Sequence, residues 1–170
     1  MSKAVLISIR PKWCEKIVNG NKTIEVRKTR PKIDTPFKCY IYCTLPKYPH
    51  EDFIATNYPM PQFYGGGKVI GEFTCERIAL IAYDGGELSS TTNAAFSPAT
   101  CLTQSEIIAY IGDKGRCYGW HMSNLRIYDT PRELSEFTGL RNTRFGAEPY
   151  DIKRPPQSWC YVEEVRDEHC

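Results

Sequence analysis

The sequence of 170 residues contains no apolar run as long as the roughly 18 residues that a membrane-spanning helix needs. The apolar stretch at residues 4–9 is too short for a signal peptide, and no small-residue cleavage site follows it. We therefore expect a protein of the cytoplasm that does not act in a membrane.

Sequence patterns for disulfides and metal sites are also missing. The eight cysteines are scattered without a C-x-x-C pair, and none of the three histidines stands at metal-ligand spacing from a cysteine pair. Cys39 and Cys43 lie four residues apart on a predicted strand, about 13 Å, whereas disulfide-bonded Cα atoms are about 4.4 to 6.8 Å apart. We expect reduced, mostly buried thiols, no metal and no cofactor.

The net charge is only +2, so nucleic-acid binding would depend on local basic patches. One patch comprises Lys22, Arg27, Lys28, Arg30 and Lys32, and a second comprises Arg141, Arg144, Lys153 and Arg154. Acidic residues gather between Glu163 and Glu168. An ordinary solvated surface is the alternative interpretation of such charge runs.

The most informative stretch is residues 12–30. Pro11 suits a first helical position and Gly20 a left-handed helix stop, so we predict a helix over 11–19. In the strand that follows, period-two alternation places Thr23, Glu25 and Arg27 on one face, with Lys22 at the start. These groups form either a grip for a polar or anionic ligand or a partly exposed ion pair on a solvated face.

The remaining pattern predicts one α+β domain over residues 1–165, with about six or seven mixed strands, two or three short helices and a tail at 166–170. A strand over residues 4–9 is apolar on both faces, and Gly71 indicates a bulge or a close backbone approach within 68–80. In that strand, alternation places Val69 with Phe73 and Cys75, opposite Ile70, Glu72 and Thr74.

Other strands are predicted over 37–44, 117–129 and 157–166. Capping boxes at Thr103–Glu106 and Thr130–Glu133 each predict a helix start. Residues 45–66, 82–101 and 138–153 are interpreted as inserted loops, the first ordered and packed around its aromatic residues, the second a surface segment of little information.

The pattern P-x-W-x-x-x-I-x-x-G-x-K-T-I-E-x-R from Pro11 to Arg27 resembles the N-terminal signature of ASCH domains, which belong to the PUA-like group of RNA-associated folds. The segments IYCT, GKVIGEF, YGWHMSNLRIYDTPRELSEF and RPPQSWCYVE are similar to small stand-alone bacterial and phage members. The resemblance implies a pseudo-barrel with a cleft for RNA or a modified nucleobase. Within it, Lys22, Glu25 and Arg27 match the lysine, acidic and arginine positions, and Thr23 a frequent threonine.

Two enzymatic branches of this family imply alternatives. One resembling branch is an amidohydrolase of acetylated cytidine that uses a lysine, a threonine three positions later and a distant glutamate. Lys22 matches the lysine, but Glu25 occupies the threonine position, so that nucleophile is absent. A second branch is described as a metal-dependent ribonuclease with a lysine and a serine, for which Ser158 is the only loose counterpart.

In a binding mechanism, Lys22 and Arg27 would hold a phosphate or carbonyl, and Glu25 would accept from an exocyclic amine or orient Arg27. Candidate stacking surfaces for an unpaired base are Trp120 above all, and Trp13, Tyr42 and Trp159. His121 is a candidate general base or pH-sensitive contact, Gln157 an amide reader of a base edge, and Ser158 a neighbouring nucleophile or contact. Each of these residues has an ordinary structural role as its alternative.

Three hypotheses for the function follow. The first is binding of RNA or a modified nucleotide beside the first helix. The second is a small hydrolase acting on a modified nucleoside or RNA, in which Lys22 and Glu25 perform acid-base chemistry. The third is a protein-interaction module that uses the loops.

Overall fold

The computed structural model describes residues 2–48, 53–55 and 62–166, with side chains described outside 53–55 and 62–64. The helices are α1 (Pro11–Val18) and α2 (Gln104–Ile111), with short 3-10 helices at Asn93–Phe96, Pro98–Thr100, Gly112–Lys114 and Leu134–Glu136. The strands are β1 (Lys3–Ile9), β2 (Ile24–Arg27), β3 (Phe37–Cys43), β4 (Phe53–Ala55), β5 (Gln62–Tyr64), β6 (Lys68–Asp84), β7 (Glu87–Ser90), β8 (Arg116–Arg132), β9 (Thr138–Thr143), β10 (Gly146–Asp151) and β11 (Trp159–Glu163).

Nine of the described strands form one mixed sheet in the order β10-β9-β11-β1-β3-β6-β8-β2, with β7 added to β6. Only β1 and β3 pair in parallel, and the other pairs are antiparallel. The strands β4 and β5 form a separate hairpin. The predicted α+β class is confirmed, with more strands than predicted.

An incompletely closed barrel is formed by six neighbouring strands of the sheet, in the order β11-β1-β3-β6-β8-β2. The described ladder between β11 and β9 is limited to Val162. The first residues of β11, with Ser158 before them, instead contact Arg27 and the residues after β2. We call this gap the seam, and within the described residues it carries side-chain contacts in place of a backbone ladder. They run from Arg27 Nη1 to Ser158 Oγ (3.3 Å), from Trp159 Nε1 to Thr29 Oγ1 (3.0 Å) and from the Lys32 N–H to the Tyr161 hydroxyl (2.7 Å).

Apolar side chains fill the barrel and form two further clusters on its outer face. Val5, Ile7 and Ile9 of β1 point into the barrel, where they pack with β3, β6, β8 and α1. Ala4 and Leu6 of β1 belong instead to an outer cluster with residues of β3 and the segment after β8. The prediction that this strand is covered on both sides is confirmed. A third cluster packs α2 and the 3-10 helix Asn93–Phe96 against β2, β6 and β8.

The two α-helices follow their local signals. Pro11 begins α1 and Gly20, with φ of 77°, follows its end, while Cys14, Ile17 and Val18 are buried. The Thr103–Glu106 capping box of α2 is formed, with the Glu106 N–H donating to Thr103 Oγ1 at 3.1 Å. Both predicted helix starts are confirmed.

The second predicted capping box is wrong at its first residue. Pairing with β6 continues along β8 as far as Arg132, so Thr130 stays in the strand. Glu133 caps the 3-10 helix Leu134–Glu136 in its place. Phe137, which follows this 3-10 helix, is buried.

Gly71 lies at a close approach between β6 and β8. A Cβ at this position would stand 2.4 Å from the carbonyl oxygen of Arg126, and the register between the strands shifts beside it. The shift interrupts alternation, so Ile70 joins Phe73 and Cys75 inside the barrel while Val69 belongs to an outer cluster. The predicted bulge is confirmed. The prediction that Val69 and Phe73 share one face of the strand is wrong because of that bulge.

The three segments interpreted as loops contain regular structure. Residues 45–66 include the hairpin of β4 and β5. Of the aromatic side chains predicted to pack there, Tyr48 is exposed, and the others lie outside the described side chains. Residues 138–153 contain the hairpin of β9 and β10. Residues 82–101 contain β7 and two 3-10 helices, with Ala94, Ala95 and Thr100 buried, so they are more than a surface segment. That these segments are insertions, and that 1–165 is one domain, stays a prediction.

Candidate functional site

Three charged side chains of the predicted site meet at the end of the barrel beside α1. Arg27 Nε donates a hydrogen bond to Glu25 Oε1 at 3.0 Å, and Lys22 Nζ lies 3.5 Å from Glu25 Oε2. We call these residues the ionic cluster. Lys22 and Glu25 are only 3% and 5% exposed. The alternative of a partly exposed ion pair on a solvated face is therefore wrong, because β2 is covered on both sides.

Each cation of the ionic cluster also has neutral partners. Lys22 Nζ donates to the carbonyl oxygen of Thr100 at 2.6 Å and lies 5.0 Å from the ring centre of Trp13. Arg27 donates to the carbonyl oxygen of Ser8 at 2.7 Å and to Ser158 Oγ at 3.3 Å. The cluster thus connects β2 with α1, β1, the residues before β11 and the 3-10 helix Pro98–Thr100.

The carboxylate of Glu25 is not fully satisfied by the described residues. Its Oε2 is buried and accepts no hydrogen bond from them, since the contact with Lys22 has the distance of an ion pair without hydrogen-bond geometry. Trp120 is the cross-strand partner of Glu25, and its buried Nε1 likewise finds no acceptor among the described residues. Most buried polar atoms in proteins are hydrogen-bonded. At this register position a carboxylate oxygen that has only an ion-pair contact therefore lies across from an indole N–H that has no acceptor among the described residues.

Burial changes the acid-base properties of Lys22. Removal of the ammonium from water lowers its pKa, and the nearby Glu25 carboxylate opposes this effect only in part. The amine of Lys22 consequently gives up its proton more readily than that of an exposed lysine. Beside a carboxylate, such a group can accept or donate a proton near a bound ligand.

Thr23 and Gln157 lie at the surface around the ionic cluster. Thr23 is exposed, and two hydrogen bonds fix its backbone. Its N–H donates to the carbonyl of Ala99, and its own carbonyl accepts from the Met122 N–H. Gln157 is exposed and precedes Ser158. Of the predicted ligand-binding residues, the fold therefore brings together Lys22, Glu25, Arg27 and Ser158, and leaves these two at the rim.

Trp120 and His121 do not join the ionic cluster as ligand-facing groups. Trp120 has no exposed surface and packs against Phe37 and Trp159, with ring centres 5.9 and 6.1 Å away, so no base can stack on it in this arrangement. His121 pairs with Ile24, on the opposite face of the sheet from Glu25. Its Nε2 lies 3.0 Å from Thr92 Oγ1, and burial lowers its pKa. Because side chains alternate along β8, Trp120 and His121 point to opposite faces of the sheet although they are neighbours in sequence.

The contacts that sequence reasoning missed are backbone carbonyls. Thr100 and Ser8 accept from Lys22 and Arg27 through main-chain oxygens, for which no residue type is diagnostic. Thr100 itself is buried, and its hydroxyl donates to Ser97 O at 3.1 Å within the 3-10 segment. A buried threonine in a Gly- and Ser-rich segment gave no sequence signal of this role.

The described residues contain no group of three His, Cys, Asp or Glu side chains that could hold a metal ion, and His50 and His169 fall outside them. Their seven cysteines are all free. None of the described helices has the length and apolar character needed to cross a membrane.

The curved sheet, with α1 at one end beside the ionic cluster, defines an α+β fold of the incomplete-barrel kind. Solved ASCH structures share this fold. ASCH from Zymomonas mobilis is 20% identical and aligns over 97% of this chain and 89% of its own, with a TM-score of 0.59. A serine-to-alanine variant of ZmASCH from the same organism is 18% identical over 95% and 89% of the two chains, with a TM-score of 0.60.

A tyrosine-to-phenylalanine variant of ZmASCH gives a TM-score of 0.55 at 17% identity, over 96% of this chain and 92% of that one. No family model and no curated protein sequence matches this chain. The structural likeness shows that the protein has the ASCH fold, which the motifs from Pro11 to Arg27 predict.

Proposed function

We propose that the protein binds RNA or a modified nucleotide by receiving a base at the ionic cluster. The observation that carries this proposal is the buried Glu25 Oε2, which accepts no hydrogen bond from the described residues although two cations surround the carboxylate. Buried charges cost stability unless their hydrogen-bonding capacity is filled, and a buried polar atom without a partner in a native structure is a recognised feature of catalytic sites and of sites for a ligand, ion or water. The ASCH fold, which is PUA-like, supports RNA as the partner.

The chemistry of the cluster suits the edge of a nucleobase. Glu25 can accept from an exocyclic amine, and Lys22 or Arg27 can donate to an adjacent carbonyl or phosphate. We place the approach to the cluster between Trp13 and Ser158, because both are half-buried and each contacts one cation. Trp13, in place of Trp120, is then the aromatic surface closest to a bound base.

Calorimetric titration with nucleosides, nucleotides and their N-acylated forms tests the proposal. The variants are Glu25→Gln, which keeps the shape but removes the charge, and Lys22→Met, with Lys16→Met as a matched control on the exposed side of α1. We expect at least about a tenfold loss of affinity, roughly 1.4 kcal/mol, in the two cluster variants and none in the control. Failure of the wild type to bind any compound, or unchanged binding by folded Glu25→Gln, would refute the proposal.

A second candidate function is hydrolysis of a modified nucleoside, which the lowered pKa of Lys22 beside Glu25 favours. Glu25 occupies the position of the threonine in the resembling amidohydrolases, so water would take the place of that nucleophile. Glu25 would accept a proton from the water as it adds to the acyl carbon, and Lys22 would donate a proton to the amine that leaves when the C–N bond breaks. Incubation with N-acylated nucleosides followed by mass spectrometry tests this reaction. Absence of turnover with and without added metal ions would exclude it.

We also place the protein in a reducing compartment such as the cytoplasm. The seven described cysteines are unpaired, and burial raises the pKa of several, including that of Cys117 to about 11. Thiols of this kind are typical of proteins that are not exported. Localisation of a tagged copy in its source cell tests this assignment.

A further inference from the structure

A groove of about 770 Å³ opens on the side of the barrel next to the seam. It forms where residues 28–34 leave the sheet: the ladder between β2 and β8 ends at the pair Arg27 and Tyr118. After that pair, hydrogen bonds from Trp159 to Thr29 and from Lys32 to Tyr161 hold the segment against β11. The segment therefore diverges from the start of β8, and the space between them is the groove.

The lining of this groove is strongly basic. Five exposed cations line it, against one carboxylate, that of Asp34; the cations are Lys28, Arg30, Lys32, Lys114 and Arg116. The whole chain is almost neutral, with 22 Lys and Arg against 20 Asp and Glu. Within the described part of the chain, none of the five forms a salt bridge. We call this surface the basic groove.

The second basic patch differs in this respect. Arg141 lies 3.8 Å from Glu148 across the β9–β10 hairpin, and Lys153 lies 3.7 Å from Asp151. Both of these cations thus face a carboxylate of this chain. Arg144 and Arg154 of the same patch form no salt bridge within the described part of the chain, so what distinguishes the basic groove is that all five of its cations lack one.

One aromatic side chain also lines the basic groove. Tyr118 is half-buried, with part of its ring packed against the barrel interior. Surfaces that bind single-stranded nucleic acid combine a positively charged groove for the backbone with aromatic rings for the bases. Both elements are present here, between two walls formed by residues 28–34 and the start of β8.

We propose that the basic groove binds the sugar-phosphate backbone of single-stranded RNA, with a base against Tyr118. The inference rests on the proposed function for its choice of RNA, but it assigns a different surface. Tyr118, which lines the groove, is the cross-strand partner of Arg27, so phosphates in the groove would lie next to a nucleotide whose base enters the ionic cluster. A DNA strand offers the same phosphodiester chemistry, and the experiment must separate the two.

Fluorescence anisotropy with a labelled single-stranded RNA, the matched DNA strand and an RNA duplex, each at several salt concentrations, tests the inference. The groove variant is Lys114→Gln with Arg116→Gln, and the matched control is Arg141→Gln with Lys153→Gln, which removes the same charge from two cations that each face a carboxylate. Each phosphate contact on a single strand contributes about −0.7 to the slope of log K against log salt. We expect the groove variant to lose about 1.4 of that slope and at least about tenfold in affinity, with the control unchanged.

Three outcomes would overturn the inference: equal losses in the two double variants, binding of the duplex as tight as that of the single strand, or DNA binding equal to RNA binding. Circular dichroism confirms that each variant is folded.

Glu25→Gln separates this inference from the proposed function. If Glu25→Gln binds free nucleotides normally while the groove variant loses RNA, the ionic cluster is not the base site and the groove assignment stands. If only Glu25→Gln loses binding, the groove assignment falls.

Discussion

Replacement of Glu25 by alanine is the most direct test of the ionic cluster. The substitution removes the only carboxylate within ion-pairing distance of Lys22 and Arg27 among the described residues. Lys22 would keep its hydrogen bond to the carbonyl of Thr100, and Arg27 would keep its hydrogen bonds to the carbonyl of Ser8 and the hydroxyl of Ser158, but all of these partners are neutral. Two largely buried positive charges would then face each other without compensation.

The expected loss of stability is large. Removal of one partner from a buried ion pair costs about 3 to 5 kcal/mol, because the remaining charge is left in a poorly solvated site. Arg27 is partly exposed, with 13% of its side chain accessible, so we expect a value near the lower end, about 3 kcal/mol. A domain of ordinary stability has about 5 to 15 kcal/mol in total, so the variant should fold but be markedly weakened.

Equilibrium unfolding in urea at pH 7, followed by tryptophan fluorescence, measures this loss. With a urea dependence of about 2 kcal/mol per molar, the midpoint should fall by roughly 1.5 M. The matched control is Asp151→Ala, which removes the carboxylate of the exposed contact with Lys153 and should leave the midpoint unchanged within error. A loss below about 1 kcal/mol for Glu25→Ala would show that the carboxylate does not compensate the two cations.

Three further predictions concern other parts of the barrel. Gly71→Ala should destabilise the protein by about 1 to 3 kcal/mol in the same unfolding assay, because its Cβ would press against the Arg126 carbonyl; an unchanged midpoint would contradict the close approach of β6 and β8. The pKa of His121 is lowered from 6.5, mainly by burial, so the unfolded state binds this proton more readily. Stability should accordingly decrease as pH falls from about 6.5 through the lower folded pKa, and His121→Gln should reduce that dependence; parallel pH curves for the two proteins would count against it. Burial raises the pKa of Cys117 to about 11, so iodoacetamide at pH 8 should modify this thiol only after unfolding, and rapid labelling of the native protein, detected by peptide mass spectrometry, would disprove its burial.

Local signals predicted the elements that depend on neighbouring residues. Pro11 and Gly20 bound α1, the Thr103–Glu106 box begins α2, and the two apolar faces of β1 are both covered. In each case the sequence signal comes from residues within one helical turn or one strand. The motif over residues 22–27 was also identified from sequence, and the charged groups of Lys22, Glu25 and Arg27 do lie together.

Burial of that motif could not be predicted, because it depends on distant parts of the chain. Lys22 is covered by a segment that includes Thr100, and Arg27 by Ser8 and Ser158. The 3-10 helices before α2 lack a strong periodic pattern, so their role at β2 is visible only in three dimensions. The basic groove was missed in part for the same reason, since Lys114 and Arg116 join the cations after β2 only through strand pairing.

Bulges and long strands explain the remaining differences. At Gly71 the alternation of β6 changes, which moved Val69 to the other face, and pairing with β6 kept Thr130 within β8. Both effects are set by a partner strand and not by the residues themselves. Periodicity predicts where a strand lies more reliably than which way each side chain points.

The seam gives this fold a freedom that a barrel closed by backbone hydrogen bonds lacks. A peptide ladder forms whatever the side chains are, but the joint between Trp159 and Thr29, and that between Arg27 and Ser158, exist only while those residue types are kept. Closure of the seam therefore depends on a few side chains, and Trp159→Phe would remove one of its hydrogen bonds without altering the order of the strands.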